Sequence, residues 1–251
     1  MVERGRPAAR DRPADHVTER DRLESVYRDL LSGPSPERWS ESNPGNRAIL
    51  DERVRWTTTL LSSLPPLGSG ALVLDLGSGG NTSLTPELDA AGDDGPGRIA
   101  VDLLFDRLRQ ASPGVARGLV CADGAALPFH DETFDLVALF TVFSSVGGRQ
   151  ICADIASEVT RVLVPGGAVL WYDLRYRNPS SKNLHPMRAK AIEALFPELE
   201  PRWRSVTLLP PIARRLGRFT SRLYPALASV PPLRSHLLGT LRKPGAPNRA
   251  A

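Results

Sequence analysis

The sequence predicts an α/β protein built on a seven-stranded, mostly parallel sheet, with helices on both faces and an N-terminal helical extension. From residue 71 onward, short apolar runs alternate with segments of helical length, which is typical of a parallel sheet with crossover helices. The first run, residues 71–76, enters a glycine-rich turn, and open α/β sheets bind ligands at such strand ends. A chain of 251 residues is long enough for one such domain with elaborations.

The segment before the sheet is expected to be helical after a charged lead-in. Residues 1–22 mix charges and prolines without an apolar run, which predicts a disordered lead-in and no secretory signal. Helical spacing of apolar residues follows at 23–31 and 47–64, so residues 23–66 are expected to form a helical lid over a pocket. Packing of the tryptophans against the sheet is the alternative. The candidates for the pocket side of this lid are Trp39, Asn46, Arg47 and Trp56.

The strands and helices of the sheet follow in a regular order. The first five strands are predicted at residues 71–76, 98–104, 118–124, 134–140 and 164–175, the last of these beginning with a tight turn. Helices are predicted between them at residues 86–90, 105–111 and 150–163. A helix at 187–196 and strands at 205–209 and 235–241 complete the seven strands. This order predicts a Rossmann-like fold over residues 67–245, followed by a tail at 246–251.

Charge is distributed unevenly along the chain. Residues 201–251 contain ten Arg and Lys residues and no Asp or Glu, whereas residues 1–200 contain 22 basic and 28 acidic residues. Two interpretations remain open for the basic stretch: a solvated surface, or a site for an anionic or lipid-linked acceptor or an acidic membrane surface. Nucleic acid is not an expected partner, because basic and aromatic residues do not interleave there.

The two cysteines, Cys121 and Cys152, lie in apolar segments and are too few for a disulfide framework. They indicate a reducing, cytoplasmic compartment, and by themselves they cannot build a metal cluster, so no metal site is expected. The longest apolar stretches are about half of the ~20 residues that a membrane span requires.

Three carboxylates follow or end strands where a ligand would lie. Asp75 precedes the glycines that begin at Gly77, and a carboxylate there suits a cationic amino-acid group better than a pyrophosphate. Asp102 stands 25 residues after Gly77, where an acid binds ribose hydroxyls of an adenosine-containing cofactor. Asp123, at the end of the third strand, is placed to bind an adenine amino group, and the alanines that follow leave room for the ring.

With these motifs in this order, the sequence resembles the class I S-adenosylmethionine-dependent methyltransferases. VLDLGSGGN resembles the first motif of that family, AVD the second, ADGAALPFHDETFDLV the third, and RVLVPGGAVL the turn and strand that follow. The resemblance covers roughly residues 71–172. It is greatest to the small-molecule branch that includes the ubiquinone and menaquinone biosynthesis type.

The resemblance implies S-adenosylmethionine as cofactor and methyl transfer to oxygen or carbon of a small-molecule acceptor in a biosynthetic pathway. In the family, the last glycine of the first motif occupies the position that Asn81 has here, so Gly80 and Asn81 depart from the usual order. The residues that the resemblance assigns to the cofactor are Asp75, Gly77, Ser78, Gly79, Asp102, Leu103, Asp123, Gly124, Ala125, Phe140 and Thr141.

No general base is fixed by the sequence, but two residues are candidates. Asp173 lies near the carboxyl end of the fifth strand, where Arg175 would bind an anionic group or form a local ion pair with it. His185 follows in a loop, where it is a base or a surface residue. His236 lies in the last strand and is expected to be remote from the cofactor edge.

Two other classes of protein remain open: an NAD(P)-dependent oxidoreductase and a non-catalytic binding or partner module. Asp75 and residues 121–129 argue against the first, because a dinucleotide requires neither. The intact acids Asp75, Asp102 and Asp123 argue against the second.

Overall fold

The computed structural model describes residues 19–27, 40–79, 95–112, 114, 116–177 and 184–245. These residues form a seven-stranded sheet with the order β3-β2-β1-β4-β5-β7-β6. Every pairing is parallel except those of β7, which runs antiparallel to β5 and β6. The predicted Rossmann-like sheet is therefore confirmed. The strands are β1 Leu72–Leu76, β2 Gly97–Asp102, β3 Gly118–Cys121, β4 Phe134–Phe140, β5 Leu163–Leu174, β6 Glu200–Leu208 and β7 Arg234–Arg242.

Helices cover both faces of the sheet, as predicted. Helix α4 has buried apolar residues at helical spacing, from Ile151 through Ile155 to Val162, and packs with α5 on one face. Helix α2 packs on the other face through Trp56 and Leu60. The helices are α1 (residues 19–27), α2 Pro44–Leu61, α3 Phe105–Leu108, α4 Arg149–Val162, α5 Ala189–Leu195, α6 Pro210–Arg215 and α7 Thr220–Ala228.

The central strands are apolar on both sides because both faces are covered. Val73 and Leu74 of β1 are adjacent and point to opposite faces, yet each has 0% of its surface exposed. Trp171 and Tyr172 of β5 divide between the two faces in the same way. A near-continuous apolar run is therefore what such a strand requires.

Helix α1 begins earlier than the sequence predicts. Residues 19–22 are helical, so the expectation of a disordered lead-in is wrong for them. Glu19 explains the difference, because its carboxylate pairs with Arg22 and accepts a hydrogen bond from the Gly147 N–H at 2.6 Å. Because this contact is made by a charged residue with a loop that is distant in sequence, apolar periodicity could not have indicated it.

Helix α2 is fixed at its first turn and lies against the sheet. The Asn43 side chain accepts hydrogen bonds from the N–H groups of Gly45 and Asn46, and Pro44 occupies the first helical position. The Asn46 side chain in turn accepts a hydrogen bond from Arg214 of α6 at 2.9 Å. Trp56 packs against the sheet, which is the alternative that the sequence left open.

The direction of β7 overturns one expectation. His236 pairs with Leu174, the last residue of β5, and thus lies at the carboxyl edge of the parallel strands. The expectation that His236 is remote from this edge is wrong, because an antiparallel strand begins where its neighbours end.

Several predicted features lie outside the described residues. These are the helix at 86–90, Gly80 and Asn81, Trp39, residues 1–18 of the lead-in and the tail at 246–251. Among the described residues, no helix is long and apolar enough to cross a membrane.

Candidate active site

A cavity of about 210 Å³ lies at the carboxyl edge of the sheet, and we call it the cofactor cavity. One wall is formed by residues at the ends of β1 to β4, and Ile151 and Ile155 of α4 lie beside it. The opposite wall is formed by α1. Eight of the eleven predicted cofactor residues line it: Gly77, Ser78, Asp102, Leu103, Asp123, Gly124, Phe140 and Thr141.

The turn after β1 requires glycine. Gly77 has a φ of 73°, and a Cβ added to it would lie 2.8 Å from a methyl group of Val142. The N–H groups of Gly77 and Ser78 both donate to the Val101 carbonyl, at 2.7 and 3.1 Å. The turn is thereby held against β2, and its backbone forms part of the cavity wall.

Asp102 joins the turn after β1 to the loop after β2. One carboxylate oxygen accepts a hydrogen bond from the Gly79 N–H at 2.8 Å, and the other accepts one from the Leu104 N–H at 2.9 Å. The Arg107 guanidinium lies 3.6 Å from this carboxylate and 4.0 Å from the ring centroid of Tyr27 on α1. A chain of contacts thus crosses the cavity from the strand ends to the helix.

The third strand end carries Asp123. Its carboxylate accepts a hydrogen bond from the Ala125 N–H at 3.0 Å, which shapes the loop where Gly124 enters the cavity wall.

Three predicted cofactor residues do not line the cavity. Asp75 is 1% exposed, the Gly79 N–H donates a hydrogen bond to Asp102, and Ala125 packs against the core.

Thr141 has a strained backbone at the cavity. Its φ of 57° is in the left-handed region, which a β-branched residue rarely adopts. The strain is maintained by the hydrogen bond from the Thr141 N–H to the Tyr172 carbonyl, at 2.7 Å. Such strain accumulates at functional sites, and here it directs the chain past the cavity at the end of β4.

The wall formed by α1 overlaps the segment predicted to form a lid, but the sequence did not single out the residues of α1 that contact the cavity. Glu19, Arg20, Leu23 and Tyr27 line the cavity. Of the predicted lid residues described by the structure, Asn46, Arg47 and Trp56 are absent from its lining. The helical spacing at residues 23–31 signalled a helix, but no local signal indicated which surface that helix would contact.

Neither candidate base lines the cavity. Asp173 is 1% exposed and accepts hydrogen bonds from the N–H groups of Ser144 and Leu174, at 2.9 and 2.7 Å. Burial raises the pKa of Asp173 to about 6, although these backbone donors oppose the rise. His185 is exposed, and its N–H donates to the Ser144 carbonyl at 2.7 Å. Both residues therefore hold the same loop between β4 and α4.

A second group of polar side chains lies beyond β5, and we call Glu52, Tyr172, Thr207, Tyr224 and His236 the polar cluster. One Glu52 carboxylate oxygen accepts hydrogen bonds from the Thr207 N–H at 3.0 Å and the Tyr224 hydroxyl at 2.6 Å. The hydroxyls of Tyr172 and Thr207 are 2.9 Å apart. The His236 ring stacks on Tyr172 at 4.6 Å, and burial lowers the pKa of His236 to about 3.

Arg53 connects this cluster to the cofactor cavity. Its guanidinium lies 5.4 Å from the ring centroid of Phe140, which lines the cavity, and 5.8 Å from that of Tyr172. Sequence periodicity did not single out Glu52 or Arg53, because both lie in an otherwise ordinary amphipathic helix.

The strand order, the glycine turn and the strand-end carboxylates define a class I methyltransferase fold. Residues 74–171 match the family model described as a methyltransferase domain. Residues 74–171 therefore form a methyltransferase domain of the S-adenosylmethionine-dependent type, and S-adenosylmethionine is the cofactor of this domain.

Three solved structures illustrate the fold, and each is under 20% identical to this chain. The [4+2]-cyclase SpnF is 19% identical, with 77% of this chain and 81% of that chain covered and a TM-score of 0.54. The N-methyltransferase NodS from Bradyrhizobium japonicum is 16% identical, with 82% and 99% covered and a TM-score of 0.57. Phosphoethanolamine N-methyltransferase 2 from Haemonchus contortus, in complex with S-adenosylmethionine, is 18% identical, with 76% and 52% covered and a TM-score of 0.54. A search of curated proteins gives no match.

Proposed function

We propose that this enzyme transfers a methyl group to an oxygen or acidic carbon of a small-molecule acceptor in a cytoplasmic biosynthetic pathway. The observation that carries the proposal is the cofactor cavity, which lies between the strand ends and α1. Its two walls differ chemically. The strand wall presents the carboxylates of Asp102 and Asp123, whereas the α1 wall presents both charges and apolar surface through Glu19, Arg20, Leu23 and Tyr27. A concave site of this size suits a small acceptor better than a protein or nucleic-acid chain.

The strand wall fits S-adenosylmethionine, which supplies an electrophilic methyl group on a cationic sulfonium. Gly77 leaves room that a Cβ would fill, so the turn allows a close approach of the backbone. We assign the ribose hydroxyls to Asp102 and the adenine amino group to Asp123. Phe140 and Thr141 are assigned to the methionine side, and the remaining predicted cofactor residues support them.

The α1 wall is the proposed acceptor site. Arg20 lines it and pairs with Glu24 at 3.0 Å, and a guanidinium there favours an acceptor whose anionic group joins or replaces this pairing. The acids of the lining, Glu19, Asp102 and Asp123, each accept hydrogen bonds from backbone N–H groups. A carboxylate engaged in this way is a poor base. We therefore favour acceptors whose own proton is acidic, such as a phenol or an enol.

Asp173 is proposed as a positioning residue rather than a base, and His185 holds the same loop through its backbone N–H alone. Both hold the backbone of Ser144, and Ser145 and Val146 of the same loop line the cavity. Asp173→Asn is expected to lower kcat by less than about tenfold, whereas loss of a general base costs about 10² to 10⁴ in rate. A larger loss at unchanged S-adenosylmethionine affinity would restore Asp173 as the base.

Two measurements test the proposed function. Calorimetric titration is expected to give micromolar binding of S-adenosylmethionine and S-adenosylhomocysteine and no binding of NAD. A panel of phenols, enols and carboxylic acids, with neutral alcohols and amines as comparison, is then screened for a gain of one methyl group by mass spectrometry. Methylation confined to amines or to a protein would contradict the proposal.

The role of the α1 wall in acceptor binding is tested by a variant of Arg20 with a matched control. Arg20→Gln is expected to raise KM for an anionic acceptor with kcat nearly unchanged, because it removes a contact made equally before and during transfer. Arg109→Gln, at an exposed arginine outside the cavity lining, is the matched control. Equal KM values for Arg20→Gln and the parent enzyme would remove Arg20 from the acceptor site.

A further inference from the structure

Apolar side chains are exposed along the segment that contains α7. Phe219, Leu223 and Val230 have exposed fractions of 49%, 44% and 43%. We call these three residues, together with Arg215, Arg218 and Arg222, the docking face. Of the six large apolar or aromatic side chains that are exposed in the described part of the chain, these account for three; the others are Phe105, Leu119 and Tyr176.

The opposite side of α7 is packed, so the docking face is not needed to hold the helix in place. Thr220, Tyr224 and Ala228 are buried, and the Tyr224 hydroxyl donates to Glu52 at 2.6 Å. Phe219 and Leu223 are four residues apart and therefore lie on one side of the helix, away from these buried positions. Phe219 and Leu223 are therefore surface residues, and their exposure does not reflect incomplete packing of α7.

The docking face is also strongly basic. The Arg218 guanidinium lies 4.8 Å from the ring centroid of Phe219, and Arg215 and Arg222, three and four residues from Arg218 in sequence, are exposed. No Asp or Glu occurs anywhere from residue 201 to residue 251. The apolar side chains are thus bordered by cations without neighbouring acids of the same segment to neutralise them.

We propose that the docking face binds the surface of an anionic lipid bilayer. Phe219, Leu223 and Val230 would enter the boundary between headgroups and acyl chains, while the arginines remain among the anionic headgroups. A helix is about 10 Å across, so docking would bring the polar cluster, which Tyr224 joins from the other side of α7, close to the membrane surface. This proposal does not depend on the identity of the methyl acceptor.

Vesicle sedimentation of the full-length protein tests the proposal. We expect binding to phosphatidylcholine vesicles that contain phosphatidylglycerol at low salt, weaker binding at high salt, and none to phosphatidylcholine alone. Phe219→Ser combined with Leu223→Ser, and separately Arg218→Gln combined with Arg222→Gln, should each lower the partition coefficient at least about tenfold. S-adenosylmethionine titration of each variant verifies that it is folded.

The chain offers a matched control on another surface. Phe105 is 59% exposed, and the Arg109 guanidinium lies 5.9 Å from its ring, so Phe105→Ser combined with Arg109→Gln removes an equivalent pair. This variant should sediment like the parent protein. An equal loss in the control, or no sedimentation of the parent protein, would overturn the proposal. Binding to soluble polyglutamate that is independent of Phe219 and Leu223 would favour an acidic protein partner and overturn it as well.

Discussion

In both the cofactor cavity and the polar cluster, a carboxylate accepts two hydrogen bonds near a threonine with positive φ. Asp102 accepts from two backbone N–H groups, and Thr141 has a φ of 57°. Glu52 accepts from an N–H and a hydroxyl, and Thr207 has a φ of 65°. The two regions thus use similar chemistry at the same edge of the sheet.

The regions differ in what their hydrogen bonds connect. The partners of Asp102 are 23 and 2 residues away in sequence, so its bonds shape neighbouring turns around a cavity. The partners of Glu52 are 155 and 172 residues away, so its bonds fasten α2 to β6 and α7. We therefore propose that similar chemistry serves binding in one region and stability in the other.

The largest effect is expected at Glu52. Glu52→Ala leaves the Thr207 N–H and the Tyr224 hydroxyl without their acceptor and should lower the free energy of unfolding by about 4 kcal/mol. Urea unfolding measures this loss, and Glu52→Gln, whose amide oxygen still accepts, should lose less than half of it. The affinity of the folded fraction for S-adenosylmethionine should stay within about twofold. A large loss of affinity at unchanged stability would contradict the assignment of Glu52 to stability.

Acid should destabilise the protein through His236. Burial lowers the pKa of His236 from an ordinary value of 6.5 to about 3, so below pH 6.5 the unfolded chain binds a proton that the folded protein does not. This contribution is present above pH 6.5 and is lost as the pH falls, by about 3 kcal/mol at pH 4.5.

The His236→Phe variant tests this directly. Phenylalanine keeps a ring against Tyr172 but cannot be protonated, so the variant should lose less stability between pH 7 and pH 4.5 than the parent protein. Chemical unfolding at each pH gives the difference. His130→Gln, at an exposed histidine, is the control. If His236→Phe lost as much stability between pH 7 and pH 4.5 as the parent protein, or if His130→Gln reduced that loss as much as His236→Phe, His236 would not titrate in this way.

Asp102 should affect cofactor binding as well as folding, because its carboxylate also accepts hydrogen bonds from the Gly79 and Leu104 N–H groups. Asp102→Ala removes a charged acceptor assigned to two ribose hydroxyls, which is expected to weaken S-adenosylmethionine binding about 100-fold. Asp106→Ala, four residues further on and exposed, is the calorimetric control and should bind normally. Similar affinities for the two variants would mean that the ribose lies elsewhere.

The smallest effect separates the two threonines. Thr141→Gly relieves the left-handed strain and should raise the free energy of unfolding by about 1 kcal/mol, with lower methyl-transfer activity. Thr207→Gly relieves similar strain but also removes the hydroxyl that contacts Tyr172 in a fully buried site, so it should destabilise. Changes of the same sign in both variants would contradict the assignment of one threonine to function and the other to structure.

The strand wall of the cavity could be predicted because its signals are local. The glycines at Gly77 and Gly79, and the acids Asp102 and Asp123, each stand within a few residues of the strand that positions them. Parallel strands bring these ends together at one edge. Composition also limited the partners, because the basic stretch after residue 200 was visible without a structure.

The individual residues of the α1 wall, the polar cluster and the docking face could not be predicted in this way, although a helical lid was expected from residue 23 onward. Glu19, Glu52 and Tyr224 are ordinary residues of amphipathic helices, and their partners lie more than 100 residues away. The position of His236 depended on the direction of β7, which apolar periodicity does not encode. Likewise, apolar residues such as Phe219 are equally compatible with burial until the packing of α7 is known.

The sequence by itself determined the class of fold, the strand ends that form the cavity and the family of the enzyme, because turn glycines, strand-end acids and apolar runs act through neighbouring residues. The tertiary structure decided which helix closes the cavity, which polar residues fasten α2 and α7, and which apolar side chains remain exposed. Those outcomes depend on long-range packing, where the same residue types serve a core, a site or a surface according to what the fold brings against them.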